Sequence, residues 1–494
     1  MMMIIPQEEV LERVADCKHS TTTTNSENEN EDSAQQQQQQ KEKKTSSGQQ
    51  QRQQRQFYYK SDYEDGAPIT TRTDFHGVKV RAWSRRSSTT KDTTSSIPCL
   101  LPGDNGNGNS TNGHGLVFIK PLKTGSSTAA GVNLRIAYNE ASRRKQQQQG
   151  KQDIIISNDD TSPSIYPPKC KSYWEHQWAS TIFKDDFEAV DHGTSDNKNN
   201  HGITGSSGST TSVSIDTTNN TYLWSVIRDP TSRLVSQFFH FQVSRGKKEP
   251  TDEEFISHVR NKNNDGYKHS RRDHYVHWLS TKTLQVRPPR PKSQKKIKRY
   301  NSNFASTNSY YINVLNQIMN DYDFIGVTER MDESLVALSM LMNVPLSDVL
   351  YLQAKGHGSW DDGGAINPHT GNYWCVYIMP SFISNGMYEY FTTEEFQDIV
   401  YYDHILHQVV NASLDYTIDT VLGGREGVFD KELQRYQRAL QLVKDKCLEK
   451  TIFPCSQTGE NDGQRKHVDQ TDCLESDSGC GHDCINQVAR VYLK

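Results

Sequence analysis

A short apolar run, a polar loop and a helix-like pattern follow one another three times in this chain. The apolar runs are LVFIK at 116–120, TYLWSVI at 221–227 and DFIGVT at 323–328. Near-continuous apolar runs of this length are typical of strands buried on both faces of a parallel sheet. Strands that alternate with helices predict an α/β fold, here a P-loop-like parallel sheet flanked by helices.

The helical segments carry recognisable start signals. In RDPTSR at 228–233, Asp229 can cap a helix whose first turn accommodates Pro230, and the helix is expected to continue to residue 245. In TTEEF at 392–396, Thr392 or Thr393 precedes glutamates in a capping-box pattern. A further amphipathic helix is expected at 430–448.

Polar, low-complexity stretches set the expected domain limits. The chain has 494 residues but only 33% hydrophobic residues and a mean hydropathy of -0.83. A Gln-rich tract at 25–56 and polar runs at 103–115 and 193–221 bury too little apolar surface to offset the entropy of ordering. We predict a low-complexity, largely disordered region at 1–114, a globular domain at 115–425 with a flexible insertion at 193–221, and a C-terminal helix with a Cys-rich tail at 426–494.

Charge argues against a nucleic-acid partner. The net charge is -4, which does not suit a general polyanion binder. One local run, 287–299, carries seven Lys or Arg and no acid. It is either a solvated linker or nuclear address, or a basic rim for an anionic substrate.

The cysteines and the N-terminus point to different compartments. Five of the nine cysteines lie in the last 48 residues without a C-x-x-C pair, which favours disulfides over a zinc site and hence an oxidising compartment. Sequons at Asn109, Asn219 and Asn411 are compatible with secretion. Yet the N-terminus is a poor signal peptide, and no apolar run reaches the roughly 18–20 residues that span a bilayer.

Two loops that follow the predicted strands are suited to phosphate. In PLKTGSST at 121–128, Lys123 precedes Gly125 and three hydroxyl residues follow, so the order differs from the triphosphate loop G-x-x-x-x-G-K-[ST]. Because no Lys-Ser or Lys-Thr pair opens the helix, we expect a phosphate monoester bound without a metal. In the second loop, Arg228 and Ser236 form an expected second clamp, so the ligand should carry two separated phosphates.

These segments together resemble a known family. FIKPLKTGSST looks like the 5′-phosphosulfate loop of carbohydrate sulfotransferases, and VIRDPTSRLVSQF is similar to their 3′-phosphate motif. DFIGVTERMDESLVAL resembles a further segment of Golgi-type members such as the galactose 3-O- and heparan sulfate/uronyl 2-O-sulfotransferases. The resemblance implies 3′-phosphoadenosine 5′-phosphosulfate (PAPS) as donor, a sugar hydroxyl of a polysaccharide, glycoprotein or glycolipid as acceptor, and the Golgi lumen or membrane as location.

The resemblance also assigns residues to the donor. The residues implied at the 5′-phosphosulfate are Lys120, Lys123, Thr124, Gly125, Ser126, Ser127 and Thr128. Arg228 and Ser236 are implied at the 3′-phosphate. Pro121–Leu122 stands where relatives often carry Thr-His, which leaves the two lysines as the cations of this loop.

Transfer of a sulfuryl group in line with its leaving oxygen needs charge neutralisation and a general base. Lys123 can neutralise the leaving oxygen. The candidate bases are His176, His192 and His240, with Glu175 as an alternative; we expect His176, which lies between the two loops as the base does in relatives. His176→Ala should abolish turnover while PAPS still binds. Two other functions stay open: a P-loop kinase, and a non-catalytic glycan-binding domain.

Overall fold

The computed structural model describes a mixed α/β chain. The described residues are 74–84, 115–152, 172–173, 179, 221–260, 274–281, 301–353, 359–360, 375–453, 455, 472 and 479–493. All of them fall in one compact unit, Ile69–Lys494. The insertion expected at 193–221 lies outside the described residues except for Thr221, which begins a strand, and the basic run at 287–299 and the tract at 25–56 lie outside them altogether.

The central sheet is parallel throughout. Its strands, in the order in which they lie side by side, are β4 (Ser172–Tyr173), β3 (Gly115–Ile119), β5 (Thr221–Ile227) and β6 (Phe324–Val327). Leu116 to Ile119 and all four residues of β6 are buried, as expected for strands covered on both faces. The three predicted strands and their parallel pairing are therefore confirmed.

Helices and short two-stranded hairpins surround this sheet. The α-helices are α1 (Ser126–Gln152), α2 (Pro230–Phe238), α3 (Asp252–Arg260), α4 (His274–Leu279), α5 (Asn301–Asp321), α6 (Met331–Met342), α7 (Asn385–Phe391), α8 (Glu394–Thr420), α9 (Phe429–Cys447) and α10 (His482–Tyr492). The hairpins pair β1 (Asp74–Phe75) with β2 (Val78–Lys79), and β7 (Ser359–Trp360) with β8 (Cys375–Val376). A π-helix, Phe239–Arg245, continues α2, and 3₁₀ turns lie at Thr328–Arg330 and Leu346–Val349.

The strand order places a topological switch point between β3 and β5. From β3 the chain moves to β4 on one side, and it then returns to the other side of β3 with β5. Loops that leave a parallel sheet in opposite directions part from each other at the carboxyl ends of the strands, which is where ligands bind in open α/β sheets. Both predicted phosphate loops follow the two strands that flank this switch point.

The folded unit extends beyond the predicted limits at its N-terminal side. Val78 and Trp83 are fully buried in the main core, although they belong to the region 1–114 that we expected to be largely disordered. The backbone N–H of Trp83 donates to the Thr417 hydroxyl, and Arg81 donates to the carbonyl of Met319. Residues 74–84 therefore pack in the same core as the domain that we expected to begin at residue 115.

The C-terminal segment also packs into the main core. Tyr436 on α9 and Ile485 on α10 are buried against it, so these helices extend the domain beyond the expected limit at 425. A disulfide joins Cys447 to Cys484, and Cys455 and Cys480 are disulfide-bonded too. This confirms the prediction of a disulfide-linked tail for these four cysteines. None of the described helices is long and apolar enough to cross a membrane.

Candidate active site

The first loop is a compact turn between β3 and α1. Lys123 and Gly125 both adopt left-handed backbone conformations, with φ of 62° and 70°. The Thr124 hydroxyl is buried and donates to the carbonyl of Pro121 (3.0 Å), so it is used within the loop. Gly125 then ends the turn, because its carbonyl accepts the N–H groups of Thr128 and Ala129 in the first turn of α1.

The groups of this loop differ in their access to solvent. Gly125 is exposed and Lys123, Ser127 and Thr128 are half-buried, whereas Ser126 is buried. Lys120, by contrast, is buried, with an exposed fraction of 1%. The first turn of α1 contains no acidic side chain, which leaves its N-terminal dipole free to favour an anion.

The second loop is held by a buried network that the sequence did not reveal. The Tyr275 hydroxyl accepts the N–H of Arg228 (2.9 Å) and donates to its carbonyl (2.5 Å). Burial raises the pKa of Tyr275, so the hydroxyl stays protonated and keeps donating. The Asp403 carboxylate in turn accepts the backbone N–H groups of His274 and Tyr275. The backbone of Arg228 is thus fixed while its side chain remains 29% exposed.

Asp229 caps α2, as its position before Pro230 predicts. Its Oδ1 accepts the N–H of Ser232 (2.7 Å). The Asp229 carboxylate therefore already caps the N-terminus of α2. An anion bound at the second loop would depend instead on Arg228 and on Ser236, which is half-buried about two turns along α2. Arg228 lies in the turn between β5 and α2, and Ser236 lies on α2 itself.

The third strand brings an acid to the second loop. Glu329, two residues after β6, accepts the backbone N–H of Asp229 through Oε1 (2.9 Å), and the same oxygen lies 3.9 Å from Arg228 Nε. Its Oε2 lies 3.3 Å from His407 Nε2 on α8. One turn earlier, His404 Nδ1 lies 4.0 Å from Asp229 Oδ2.

The charged groups in this cluster shift one another's pKa values. Burial lowers the pKa of His407, but the hydrogen bond and charge of Glu329, together with Asp229, outweigh it and raise the pKa above the ordinary value. Burial likewise opposes the ionisation of Asp229, yet His404, His407 and the Ser232 N–H lower the pKa of its carboxyl. The Asp229 carboxylate therefore stays charged, and the His407 imidazole is favoured in its charged form.

The structure describes one of the candidate bases, His240. His240 lies in the π-helix, is 3% exposed and packs against Phe241, which suits a core residue rather than a base. The other candidates lie outside the described residues: His176, His192 and Glu175. The assignment of His176 as the base therefore stays a prediction.

Of the three sequons, Asn411 is described: it lies within α8, and its side-chain carbonyl accepts a hydrogen bond from Arg330 (2.8 Å).

Comparison with known proteins agrees with the class of site. A family model described as the sulfotransferase family matches residues 148–352, a stretch that contains the second loop and the β6 turn and begins after the first loop. The match supports a sulfotransferase family for this chain, and with it an enzyme that transfers sulfate. No curated protein and no solved structure matches the chain.

Proposed function

We propose that this protein transfers a sulfuryl group from PAPS to a sugar hydroxyl of a glycan. The observation that carries the proposal is the placement of two anion-competent loops after β3 and β5, on either side of the switch point of a parallel sheet. A donor with phosphates at both ends of one nucleoside suits two such loops. The sulfotransferase family match over the second loop supports the same choice.

The first loop would hold the 5′-phosphosulfate. Gly125 lets the backbone approach the anion, and Ser127 and Thr128 offer accessible hydroxyls at the start of α1. Since the Thr124 hydroxyl is bonded to Pro121, Thr124 would contribute its backbone. Lys120, which is buried at the end of β3, would act on the anion through its positive charge.

The second loop would hold the 3′-phosphate. Arg228 offers a guanidinium that remains partly exposed on a fixed backbone, and Ser236 adds a hydroxyl. Because the backbone of Arg228 is already fixed, binding of a phosphate has to order the side-chain rotations alone, which lowers the entropy cost of binding.

The reaction would proceed by in-line displacement. The acceptor oxygen forms a bond to sulfur as the bond between sulfur and the bridging phosphate oxygen breaks, giving a sugar sulfate and adenosine 3′,5′-bisphosphate. Lys123 would neutralise the charge that develops on the leaving oxygen, and His176 would take the proton of the hydroxyl. The disulfides of the C-terminal segment support an oxidising compartment, and we propose the Golgi.

Two measurements on the full chain test the proposal. Adenosine 3′,5′-bisphosphate should raise the melting temperature much more than ATP with magnesium, and labelled sulfate should pass from PAPS to at least one member of a glycan panel. The reverse order of stabilisation would favour a kinase. Donor binding without transfer to any acceptor would favour a glycan-binding domain. Unchanged turnover in His176→Ala would remove that residue from the mechanism.

A further inference from the structure

Two consecutive residues at the end of β6 contact both phosphate loops. Thr328 Oγ1 donates to the carbonyl of Thr124 in the first loop (2.6 Å). Glu329 Oε1 accepts the N–H of Asp229 in the second loop (2.9 Å). Both residues belong to the 3₁₀ turn Thr328–Arg330, and we call this pair, Thr328 and Glu329, the brace.

The brace rests on a fixed base. The Ser334 hydroxyl on α6 donates to the carbonyl of Val327 (3.1 Å) and accepts its N–H (2.9 Å), which ties the end of β6 to α6. Gly326 lies so close to Ser334 that an added Cβ would come within 2.9 Å of the serine Cβ. Strand end and helix are therefore packed without room for displacement.

Each end of the brace is held from a second side. Side-chain atoms of Thr328 and Met331 lie only 3.2 and 3.1 Å from the position that a Cβ on Gly125 would take, so they pack against the first loop. At the other end, His407 holds the second oxygen of Glu329 from α8 (3.3 Å). The carboxylate is thus oriented toward the second loop instead of rotating freely.

We infer that Thr328 and Glu329 are positioning residues that fix the separation of the two phosphate loops, and thereby select a donor with phosphates at both ends. This inference rests on the proposed function. When two sites bind two ends of one ligand, the gain from joint binding depends on how closely their separation matches the ligand. A loosened brace should reduce this gain and leave each loop able to bind its own phosphate.

The quantity to measure is the gain from joint binding. It is the product of the dissociation constants of adenosine 5′-phosphate and adenosine 3′-phosphate, divided by that of adenosine 3′,5′-bisphosphate. The contribution of adenosine cancels when a variant is compared with the wild type. Damage to one loop weakens one monophosphate and the bisphosphate by the same factor, so it leaves this gain unchanged, whereas a change in loop separation lowers it.

Calorimetry on the full chain gives the three constants for each variant. Thr328→Val and Glu329→Ala each remove one hydrogen bond of the brace, and the gain should fall about tenfold in each. Thr328→Ser and Glu329→Gln keep the hydroxyl and an acceptor oxygen, and should stay within about threefold of the wild type.

Two matched controls exclude a general loss of stability. Thr420→Val removes another hydroxyl-to-carbonyl bond of 2.6 Å, at the end of α8. Glu333→Ala makes the same Glu-to-Ala change at the start of α6, where the carboxylate pairs with Arg330 and Arg425 instead of a phosphate loop. Both should keep the wild-type gain.

An unchanged gain in folded Thr328→Val and Glu329→Ala would overturn the inference, as would equal weakening of one monophosphate and the bisphosphate. Melting temperatures report folding; if Glu329→Ala does not fold, the comparison of Thr328→Val with Thr328→Ser decides. If the wild type binds the bisphosphate no more tightly than the monophosphates, the proposed function fails instead.

Discussion

Gly125 combines two constraints at a single residue. Its φ of 70° lies in the left-handed region, where a side chain is strained, and a Cβ would meet Met331 Cε at 3.1 Å and Thr328 Cγ2 at 3.2 Å. These contacts come from residues that follow β6. A glycine at this position therefore permits the left-handed turn of the first loop and also leaves room for the neighbouring strand end. A side chain here would act on the loop and on its neighbours together.

Gly125→Ala should therefore weaken donor binding as well as stability. The left-handed conformation costs roughly 1 kcal/mol for an alanine, and displacement of Thr328 or Met331 should lower the affinity for adenosine 3′,5′-bisphosphate about tenfold. Gly424→Ala is the matched control, since Gly424 has φ of 77° but its nearest neighbour, the Asp419 carbonyl, is 3.9 Å away. Titration calorimetry and melting curves on both variants make the comparison; an equal loss of affinity in the two would contradict the role of the contacts.

Local residue patterns were predictable from the sequence, and distant partners were not. Asp229 before Pro230 predicts the cap that the structure shows, and Thr393 is the residue that caps α8 in the TTEEF stretch. The Glu329 side chain instead meets Asp229 across 100 residues and His407 across 78. A side chain that serves another loop carries no periodicity or spacing in the sequence, so its role emerges from the pairing of β5 with β6.

At the scale of elements, α8 is the support of the second loop. It supplies Asp403 beneath Tyr275, and it supplies His404 and His407 beside Asp229 and Glu329. The loop that would hold the 3′-phosphate is thus stabilised by a helix that itself has no part in the phosphate motif. The protonation of His404 and His407 on α8 should therefore change how strongly this helix stabilises the second loop.

The contact between His407 and Glu329 should make stability depend on pH. The pKa of His407 is raised in the folded state, so the charged imidazole stabilises the fold fully below the unfolded pKa of about 6.5, and this contribution is lost as pH rises through the folded pKa. The lowered pKa of Asp229 keeps its carboxylate charged across the same window. Arg330, whose charge acts to lower the pKa of His407, keeps its own charge throughout this window.

Melting temperatures of the wild type and His407→Gln, measured from pH 5.5 to 8.5, test this dependence. The wild type should exceed the variant most at the acidic end, and the difference should shrink toward alkaline pH. A difference that stays constant or grows with pH would contradict the assigned direction.

The helix expected at 231–245 changes to a π-helix where it contacts a distant segment of the chain. The apolar pattern at 231–245 predicts one continuous helix, but the structure has α2 followed by the π-helix Phe239–Arg245. There the Ser244 hydroxyl donates to the Phe239 carbonyl and accepts the N–H of Met379 from a distant segment. Sequence periodicity reports which face is buried, whereas the local widening depends on that distant partner.

At the scale of the whole molecule, the segments at both ends of the described chain complete one core. Residues 74–84 were not predicted to fold because Val78 and Trp83 are too sparse to show a period and are separated from β3 by a polar stretch. The burial of α9 and α10 was also missed, since a Cys-rich tail gave no sign of the surface against which it packs. Three of the four strands of the sheet, β3, β5 and β6, were accessible to sequence reasoning because each carries its own apolar run, whereas β4 has two residues and was not predicted.

The disulfide between α9 and α10 should contribute stability without contributing to the site. Cys447 and Cys484 are 37 residues apart in sequence, and closing such a loop in the unfolded chain is worth about 2–4 kcal/mol. The variant with both Cys447→Ala and Cys484→Ala should therefore melt at a lower temperature. Its folded form should bind adenosine 3′,5′-bisphosphate with wild-type affinity, because α9 and α10 supply none of the described contacts to either phosphate loop.

The control for this experiment is the same pair of proteins in reductant. Reduction should lower the melting temperature of the wild type further than that of the double variant, since the variant has already lost one cross-link, while Cys455 and Cys480 remain disulfide-bonded in both before reduction. An unchanged melting temperature in the double variant would show that the core contacts of α9 and α10, those of Tyr436 and Ile485 among them, hold the two helices in place without the disulfide. A loss of nucleotide affinity in the folded variant would instead show that the C-terminal helices act on the active site.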